Sequence, residues 1–255
     1  MGADAGMSGW TVVDGLRTYH RAFAGPAGAT PVVLVHGLAV SHRYLLRLAR
    51  ALADRHPVHA IDLPGFGRSE KPAAALDVRG HARHLAAWLA ARDLAEVCLL
   101  GHSFGAEVVA ATAVEVPGRV SAVVLAAPTS DPAARSRSAQ ILRWLRDVPR
   151  EPAWQVPVFA RDVRDAGPRR ILRTLGHSVH NAIERDVDRL RMPVLVVRGG
   201  RDPVVPAAWA ARLGPTATIA RAPHNVVATD PAPVAERVAR LLRSTAAPFE
   251  ARSNG

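Results

Sequence analysis

Residues 97–115 read VCLLGHSFGAEVVAATAVE, and this stretch decides the fold. An apolar run of strand length leads into Gly101 to Gly105, and an alanine- and valine-rich run of helical length follows. The pattern Gly-x-Ser-x-Gly between a strand and a helix is typical of a nucleophile elbow. Such a turn is so tight that side chains two residues before and after Ser103 would collide. It exposes the serine hydroxyl and places the amide of Phe104 at a helix N-terminus, where negative charge is stabilised.

The rest of the chain alternates between strand-like and helix-like segments. Helical spacing predicts helices over 41–55, 77–92 and 231–242, and residues 10–23 predict a leading hairpin around Asp14-Gly15. Short apolar runs of the kind found in strands buried on both faces occupy residues 31–35, 58–62, 97–101, 122–127, 193–199 and 216–221. The alternation predicts an α/β fold with a doubly wound, mostly parallel sheet.

Residues 131–188 interrupt this alternation. They contain no strand-like run of similar quality, and helical pieces flank the loop-like residues 149–157. We therefore expect an inserted helical cap over 131–188 and a core domain formed by 1–130 and 189–255. The polar tail after Leu242 is expected to fray.

Composition limits the class of protein. The chain has 255 residues, of which 49% are hydrophobic, enough for one sizeable core. The net charge of +11 comes almost entirely from arginines scattered along the chain, with Lys71 as the single lysine, and no nucleic-acid-binding motif accompanies it. Cys98 is the one cysteine, which excludes an internal disulfide. We expect a cytoplasmic protein with no nucleic-acid or membrane partner, because the start of the chain lacks a signal-peptide pattern and no apolar run reaches transmembrane length. The oligomeric state stays open.

Two more segments with sequence motifs follow the first two predicted buried strands. HGLA at 36–39 follows the first buried strand, and DLPGFGRSEKP at 62–72 follows the next. With GHSFG after the third, the chain resembles the α/β-hydrolase family along its whole length. The resemblance implies an α/β-hydrolase fold, an acid after a later strand and a histidine after the last one. Asp202 in VLVVRGGRDPVVP and His224 in TATIARAPHNVV stand at these two places.

The resemblance also implies a mechanism. Ser103 would be the nucleophile, His224 the general base and Asp202 the residue that orients the histidine, in the chain order that this fold uses. The backbone amides of Leu38 and Phe104 would form the oxyanion hole. No cofactor is implied, and no spacing of cysteines and histidines suggests a metal site. Asp131 and Asp62 are rival positions for the acid, and Asp62 is the better candidate for a structural acceptor in its turn.

Other side chains are candidates for substrate contact or for plain packing. The candidates for substrate binding are His36, His102, Trp144, Trp154 and Phe159. Arginines of the insertion could attract an anionic substrate, although a solvated face explains such charges as well; they include Arg143, Arg146 and Arg173. Four histidines stand in patterns typical of exposed positions, namely His56, His59, His81 and His84.

Serine at the nucleophile position speaks against dehalogenases and epoxide hydrolases, which use aspartate there in the family. The sequence predicts hydrolysis of a small or medium carboxylic ester, lactone or thioester. Carbon–carbon bond hydrolases of ring-fission products are an alternative, with two departures: His102 replaces their usual asparagine, and Asn225 follows His224 where they commonly have tryptophan. Cofactor-free haloperoxidases share the triad. A ligand-binding receptor with little turnover is the alternative from another class.

Overall fold

The computed structural model describes residues 6–246, with side chains to residue 244. Expectations about residues 1–5 and about the end of the tail, 247–255, lie outside the described residues. One eight-stranded sheet has the strand order β1-β2-β4-β3-β5-β6-β7-β8. The strands are β1 Met7–Val13, β2 Leu16–Phe23, β3 Val32–Val35, β4 Val58–Ile61, β5 Val97–His102, β6 Val120–Ala126, β7 Val194–Gly199 and β8 Thr216–Ile219.

Strands β3 to β8 pair in parallel, and β1 and β2 join the edge in antiparallel fashion. The predicted hairpin is confirmed: Asp14 and Gly15 both have positive φ, 49° and 76°, as a tight two-residue turn requires. The whole of β3 is shielded from solvent, so helices cover both faces of the sheet there. The doubly wound, mostly parallel α/β fold predicted from the apolar runs is therefore confirmed.

Helices of the core flank this sheet. The N-cap of α1 is Ser41, whose hydroxyl accepts the amide of Arg43, and the N-cap of α2 is Asp77, whose carboxylate accepts the amide of Gly80. Helix α1 packs with α10, and α2 packs with α3. The core helices are α1 His42–Ala53, α2 Val78–Ala91, α3 Phe104–Glu115, α8 Ala207–Leu213, α9 Val226–Thr229 and α10 Pro231–Ala246.

The segment 131–188, called the insertion below, is helical and contains no strand. Its helices are α4 Arg137–Asp147, α5 Val156–Ala166, α6 Pro168–His180 and α7 Ile183–Val187. Buried Asp162 of α5 accepts the hydroxyl of Ser41 at 2.9 Å and pairs with Arg43, both at the start of α1. Arg170 of α6 donates to the carbonyl of Pro72 at 2.6 Å. The insertion is thus tied to the loops at the carboxyl ends of β3 and β4, while its status as a separate cap stays a prediction.

The expectation that four histidines are exposed is wrong, since three of them are buried and His59 is half-buried. His81 is 1% exposed and His84 is 3% exposed, and His56 is buried as well. Helix α2 is covered on two sides, since it packs on α3 and also contacts β1. His84 finds a partner in Thr18 Oγ1 at 2.7 Å, and the ring of His81 packs edge-on against Phe104. Cys98 is buried as expected.

Among residues 6–246, no helix has both the length and the apolar character that crossing a bilayer demands.

Candidate active site

The turn between β5 and α3 holds Ser103 in a strained conformation. Its φ of 54° and ψ of −121° lie in a region that residues with a side chain rarely adopt. A Cβ atom on Gly101 would lie 2.2 Å from the carbonyl oxygen of Gly105, and one on Gly105 would lie 2.4 Å from that of Val35. The two glycines of the motif are therefore required by the close approach of backbone, as the sequence predicted.

Two loops bring their polar side chains to this serine. His224 Nε2 lies 3.1 Å from Ser103 Oγ, and His224 Nδ1 lies 2.9 Å from Asp202 Oδ2. The loops meet at Gly199, where a Cβ would lie 2.2 Å from the carbonyl oxygen of Pro223. The structure thus joins Ser103, His224 and Asp202 in one chain of hydrogen bonds, the arrangement that nucleophilic acyl transfer needs.

The surroundings of the two ionisable members favour an ion pair. Asp202 also accepts the backbone amides of Val204 at 2.7 Å and Val205 at 3.2 Å. Burial alone would raise the pKa of Asp202, but the charge of His224 and these hydrogen bonds hold it below its ordinary value. Burial alone would likewise lower the pKa of His224, but the charge of Asp202, its hydrogen bond to the ring and the charges of two further acids nearby together outweigh burial and raise that pKa. Asp202 is therefore placed to stabilise a protonated His224.

Backbone amides for an oxyanion lie beside the hydroxyl. Gly37 lies against Ser103, since a Cβ atom on Gly37 would lie 3.1 Å from Ser103 Cβ. Leu38 is the next residue of the chain. Phe104 is the first residue of α3, so its amide has no partner within the helix. Neither the Leu38 nor the Phe104 amide donates to another residue of the described part of the chain. Both predicted donors are therefore free to bind a developing negative charge.

Two histidines predicted to bind substrate have their ring nitrogens occupied within the protein. His36, fully buried, donates from Nδ1 to the carbonyl of Gly37 at 2.8 Å and accepts the amide of Leu63 on Nε2 at 3.0 Å. His102 donates from Nε2 to the backbone carbonyl of His224 at 3.1 Å. These contacts correct the expectation of substrate contact, because neither ring has a free nitrogen.

The other nitrogen of His102 accepts the hydroxyl of Tyr44 at 2.8 Å, and that hydroxyl accepts the amide of Gly37 at 3.0 Å. Burial, helped by the charge of His224, lowers the pKa of His102 to about 3, so its ring stays neutral. This chain of hydrogen bonds connects the loop that contains Gly37 and Leu38 to the loop that carries His224. The sequence analysis did not single out Tyr44. The residue could have been noticed because it lies on the apolar face of α1, and a buried tyrosine hydroxyl needs a hydrogen-bond partner.

The three aromatic candidates all belong to the insertion. Trp144 of α4 and Phe159 of α5 have ring centroids 5.4 Å apart, and Arg47 stacks over Trp154 at 5.1 Å. Trp144 and Trp154 are each more than 40% exposed. A cavity of about 550 Å³ opens elsewhere, between the 73–75 loop and the start of α6, and its charged lining residues are Arg169, Arg170 and Arg173.

The rival acids have other partners. Asp62 accepts the amide of His42 at 2.7 Å and that of Arg68 at 2.8 Å, so it organises its own turn, as the sequence predicted. Asp131 pairs with Arg143 at 2.6 Å, and the ring of His224 is bound by Asp202 instead. This pairing also neutralises one of the arginines considered for attracting anions. The described residues bring together no group of three histidine, cysteine or acidic side chains that could hold a metal ion.

Comparison with known proteins agrees with this geometry. The family model for the alpha/beta hydrolase fold matches residues 30–163, which is more than half of the chain and includes Leu38 and Ser103. The chain belongs to the α/β-hydrolase fold family. The resemblance given by the motifs is thereby confirmed at the level of family and fold.

Among relatives of this α/β hydrolase, the dihydrolipoyllysine-residue acetyltransferase component of the acetoin cleaving system of Cupriavidus necator is 30% identical over 228 residues, covering 81% of this chain and 60% of the relative. The human (lyso)-N-acylphosphatidylethanolamine lipase is 28% identical over 151 residues, covering 58% of this chain and 42% of the lipase. The chain thus spans about half the length of these curated relatives.

A solved structure of a bacterial membrane phospholipase A superposes with a TM-score of 0.81 at 22% identity, covering 97% of this chain and 89% of that one. At this identity the likeness supports the α/β-hydrolase fold alone.

Proposed function

We propose that this α/β hydrolase is a serine hydrolase that cleaves a carboxylic ester, lactone or thioester through an acyl-enzyme. The observation that carries the proposal is the chain of hydrogen bonds from Asp202 through His224 to Ser103, next to two unoccupied backbone amides. The fold by itself would not carry it, because one fold hosts many activities. The similarity to a protein named as a lipase supports an acyl ester as the substrate.

The reaction proposed from this geometry has two halves. His224 Nε2 takes the proton of Ser103 Oγ while that oxygen bonds to the carbonyl carbon, and the electron pair of the C=O bond moves onto an oxygen held by the Leu38 and Phe104 amides. Collapse of this intermediate expels the alcohol, which takes the proton from His224. Water then attacks the acyl-enzyme with the same base and releases the acid and free Ser103.

The insertion is proposed to act as the cap of this site. Asp162 and Arg170 hold it against the loops that follow β3 and β4, beside the nucleophile. We propose that Trp144, Trp154 and Phe159 contribute the apolar surface met by an acyl group, since Trp144 and Trp154 are exposed, Phe159 packs beside Trp144, and aromatic side chains are suited to apolar ligands.

The test is hydrolysis of p-nitrophenyl esters from acetate to octanoate by the wild-type protein and by Ser103→Ala. We expect sustained turnover that falls at least about 10⁴-fold in the variant, because the nucleophile is lost. The variant should keep the wild-type melting temperature within a few degrees, since the glycines build the turn. The chain-length optimum would measure the acyl site.

Equal residual rates in the two proteins would contradict the proposal. A single, persistent acylation of Ser103 without turnover would favour the receptor alternative. Absence of any ester reaction together with cleavage of a vinylogous diketone would favour a carbon–carbon bond hydrolase.

A further inference from the structure

The insertion reaches the loop of the histidine base through a buried carboxylate. Asp147 is the last residue of α4 and is 1% exposed. Its Oδ1 accepts the backbone amide of His224 at 3.2 Å. A helix of the insertion thus ends on the peptide group of the proposed base.

A second acid of the insertion repeats this contact one residue later. Glu151 Oε1 accepts the backbone amide of Asn225 at 2.7 Å, and Glu151 Oε2 accepts the side-chain amide of Gln155 at 2.9 Å. The side chains of Asn225 and Gln155 are hydrogen-bonded to each other as well. Two consecutive amides of the histidine loop are therefore held by two acids four residues apart.

These bonds complete the fixation of His224. The core supplies three of its four polar contacts: Asp202 binds Nδ1, Ser103 lies at Nε2, and His102 donates to the backbone carbonyl. The amide is held by Asp147 of the insertion. Position and tilt of the imidazole thus depend on the docking of residues 147–151 onto this loop.

The two acids also act on each other. Burial, together with the hydrogen bond and the charge of Asp147, raises the pKa of Glu151 to about 8. Within the described residues neither carboxyl forms an ion pair with an arginine or lysine. The charges of Asp147 and Glu151 raise the pKa of His224, in the same direction as the charge of Asp202 does.

We propose that Asp147 and Glu151 are positioning residues through which the insertion sets the geometry and the basicity of His224. The inference rests on the proposed serine hydrolase function. The two acids take no proton from substrate and make no bond to it. They hold the peptide groups of residues 224 and 225, and their charge stabilises the imidazolium formed when Ser103 attacks.

Two variants of Asp147 separate geometry from charge. Asp147→Asn keeps an oxygen for the His224 amide and removes the charge, whereas Asp147→Ala removes both. Asp188→Asn is the control. Asp188 also links the insertion to the core, through Arg212 at 3.0 Å, and this ion pair does not involve His224 or Asn225. Each is compared with wild type by kcat and KM for a p-nitrophenyl ester from pH 5 to 9, and by melting temperature.

We expect Asp147→Asn to move the acidic limb of kcat/KM to lower pH, since the ring loses a neighbouring negative charge and its pKa falls. Asp147→Ala should lower kcat about 10- to 100-fold with little change in KM, because the base is misplaced. Glu151→Ala should lower kcat in the same way, and Glu151→Gln should recover part of the loss through its amide oxygen. The ionisable groups around the imidazole of His224 that affect the acidic limb of the kcat/KM profile are Asp202, Asp147, Glu151 and His102.

The rate at which a fluorophosphonate labels Ser103 gives a readout that needs no substrate. Slower labelling of Asp147→Ala than of Asp188→Asn would support the inference even if the ester is the wrong substrate. The inference would be overturned if the Asp147 and Glu151 variants kept the wild-type kcat, the wild-type acidic limb of kcat/KM and the wild-type labelling rate, and showed only a lower melting temperature. A wild-type chain that neither takes the label nor hydrolyses esters would overturn the proposed function and this inference together.

Discussion

Asp202 orients His224, the proposed general base, more directly than any other side chain described above. Its 2.9 Å contact with Nδ1 of His224 fixes the tautomer that leaves Nε2 facing Ser103. We expect Asp202→Asn to lower kcat about 10⁴-fold, because an amide at this position can stabilise the wrong tautomer and no imidazolium. Steady-state ester hydrolysis measures this loss. Asp131→Asn serves as the control and should keep near-normal turnover; the opposite outcome would move the acid to Asp131.

The raised pKa of His224 has a consequence for the pH dependence of activity. Burial lowers this pKa, but the charge and hydrogen bond of Asp202, with the charges of Asp147 and Glu151, together raise it by more, so the net shift is upward. A general base must be neutral before it can take a proton. We therefore expect kcat/KM to fall on acidification at a pH above 6.5, the ordinary value for histidine. A titration of kcat/KM in wild type checks this, and an acidic limb below pH 6 would contradict it.

At the scale of elements, the junction of β5 and α3 depends on two glycines rather than on the serine. A Cβ on Gly105 would lie 2.4 Å from the carbonyl oxygen of Val35, which is backbone of the neighbouring strand β3 and cannot move aside. We expect Gly105→Ala to cost more than about 2 kcal/mol of the free energy of unfolding, and to reduce activity with it. Denaturant unfolding measures the loss.

Gly118 offers a matched control for this prediction. No atom lies within 4 Å of a Cβ at Gly118, and its φ is not positive. Gly118→Ala should therefore change the free energy of unfolding by no more than about 0.5 kcal/mol. Similar costs for the two substitutions would show that general helix or turn propensity, and not the close approach to β3, determines the effect.

At the scale of the whole molecule, one buried acid fastens both ends of the insertion to the core. Glu107 of α3 accepts hydroxyls of Thr129 and Ser130, before the insertion, and of Ser178, on α6 near its end. The side-chain amide of Asn181 donates to its second oxygen at 3.1 Å. We expect Glu107→Ala to lower the free energy of unfolding by about 3 kcal/mol, since several buried donors lose their acceptor. It should also speed proteolysis within 131–188; unchanged proteolysis would contradict a fastening role.

Glu107 should make stability depend on pH. Burial raises its pKa from 4.5 to about 7, so the folded state binds this proton more tightly than the unfolded chain does. The resulting stabilisation is fully present below pH 4.5 and is lost as the pH rises through about 7. Glu107→Gln removes this titration, so the difference in free energy of unfolding between variant and wild type should change between pH 5 and pH 8. Parallel pH profiles would contradict the assignment.

Local sequence patterns determined most of the fold. The apolar runs located the strands β3 to β8. The reason is that strands buried on both faces, as β3 to β6 are along most of their length, need nearly unbroken apolar residues; β8, at the sheet edge, is exposed or half-buried. Gly101, Gly105, Asp14 and Gly15 marked turns because their backbone conformations or close contacts tolerate few other residues. The resemblance to the α/β-hydrolase family implied that Ser103, Asp202 and His224, each after a strand, form one site; the carboxyl ends of parallel strands do meet at one edge of the sheet.

Long-range packing decided the rest. The burial of His81 and His84 follows from the covering of α2 on two sides, and the occupied rings of His36 and His102 follow from partners far along the chain. The contacts of Asp147 with His224 and of Glu151 with Asn225 join residues more than seventy positions apart. No periodicity or motif records such a contact, because it depends on where a helical insertion docks on the core. The sequence by itself determined the chemical groups and their order, and only the tertiary structure decided which of them hold the histidine in place.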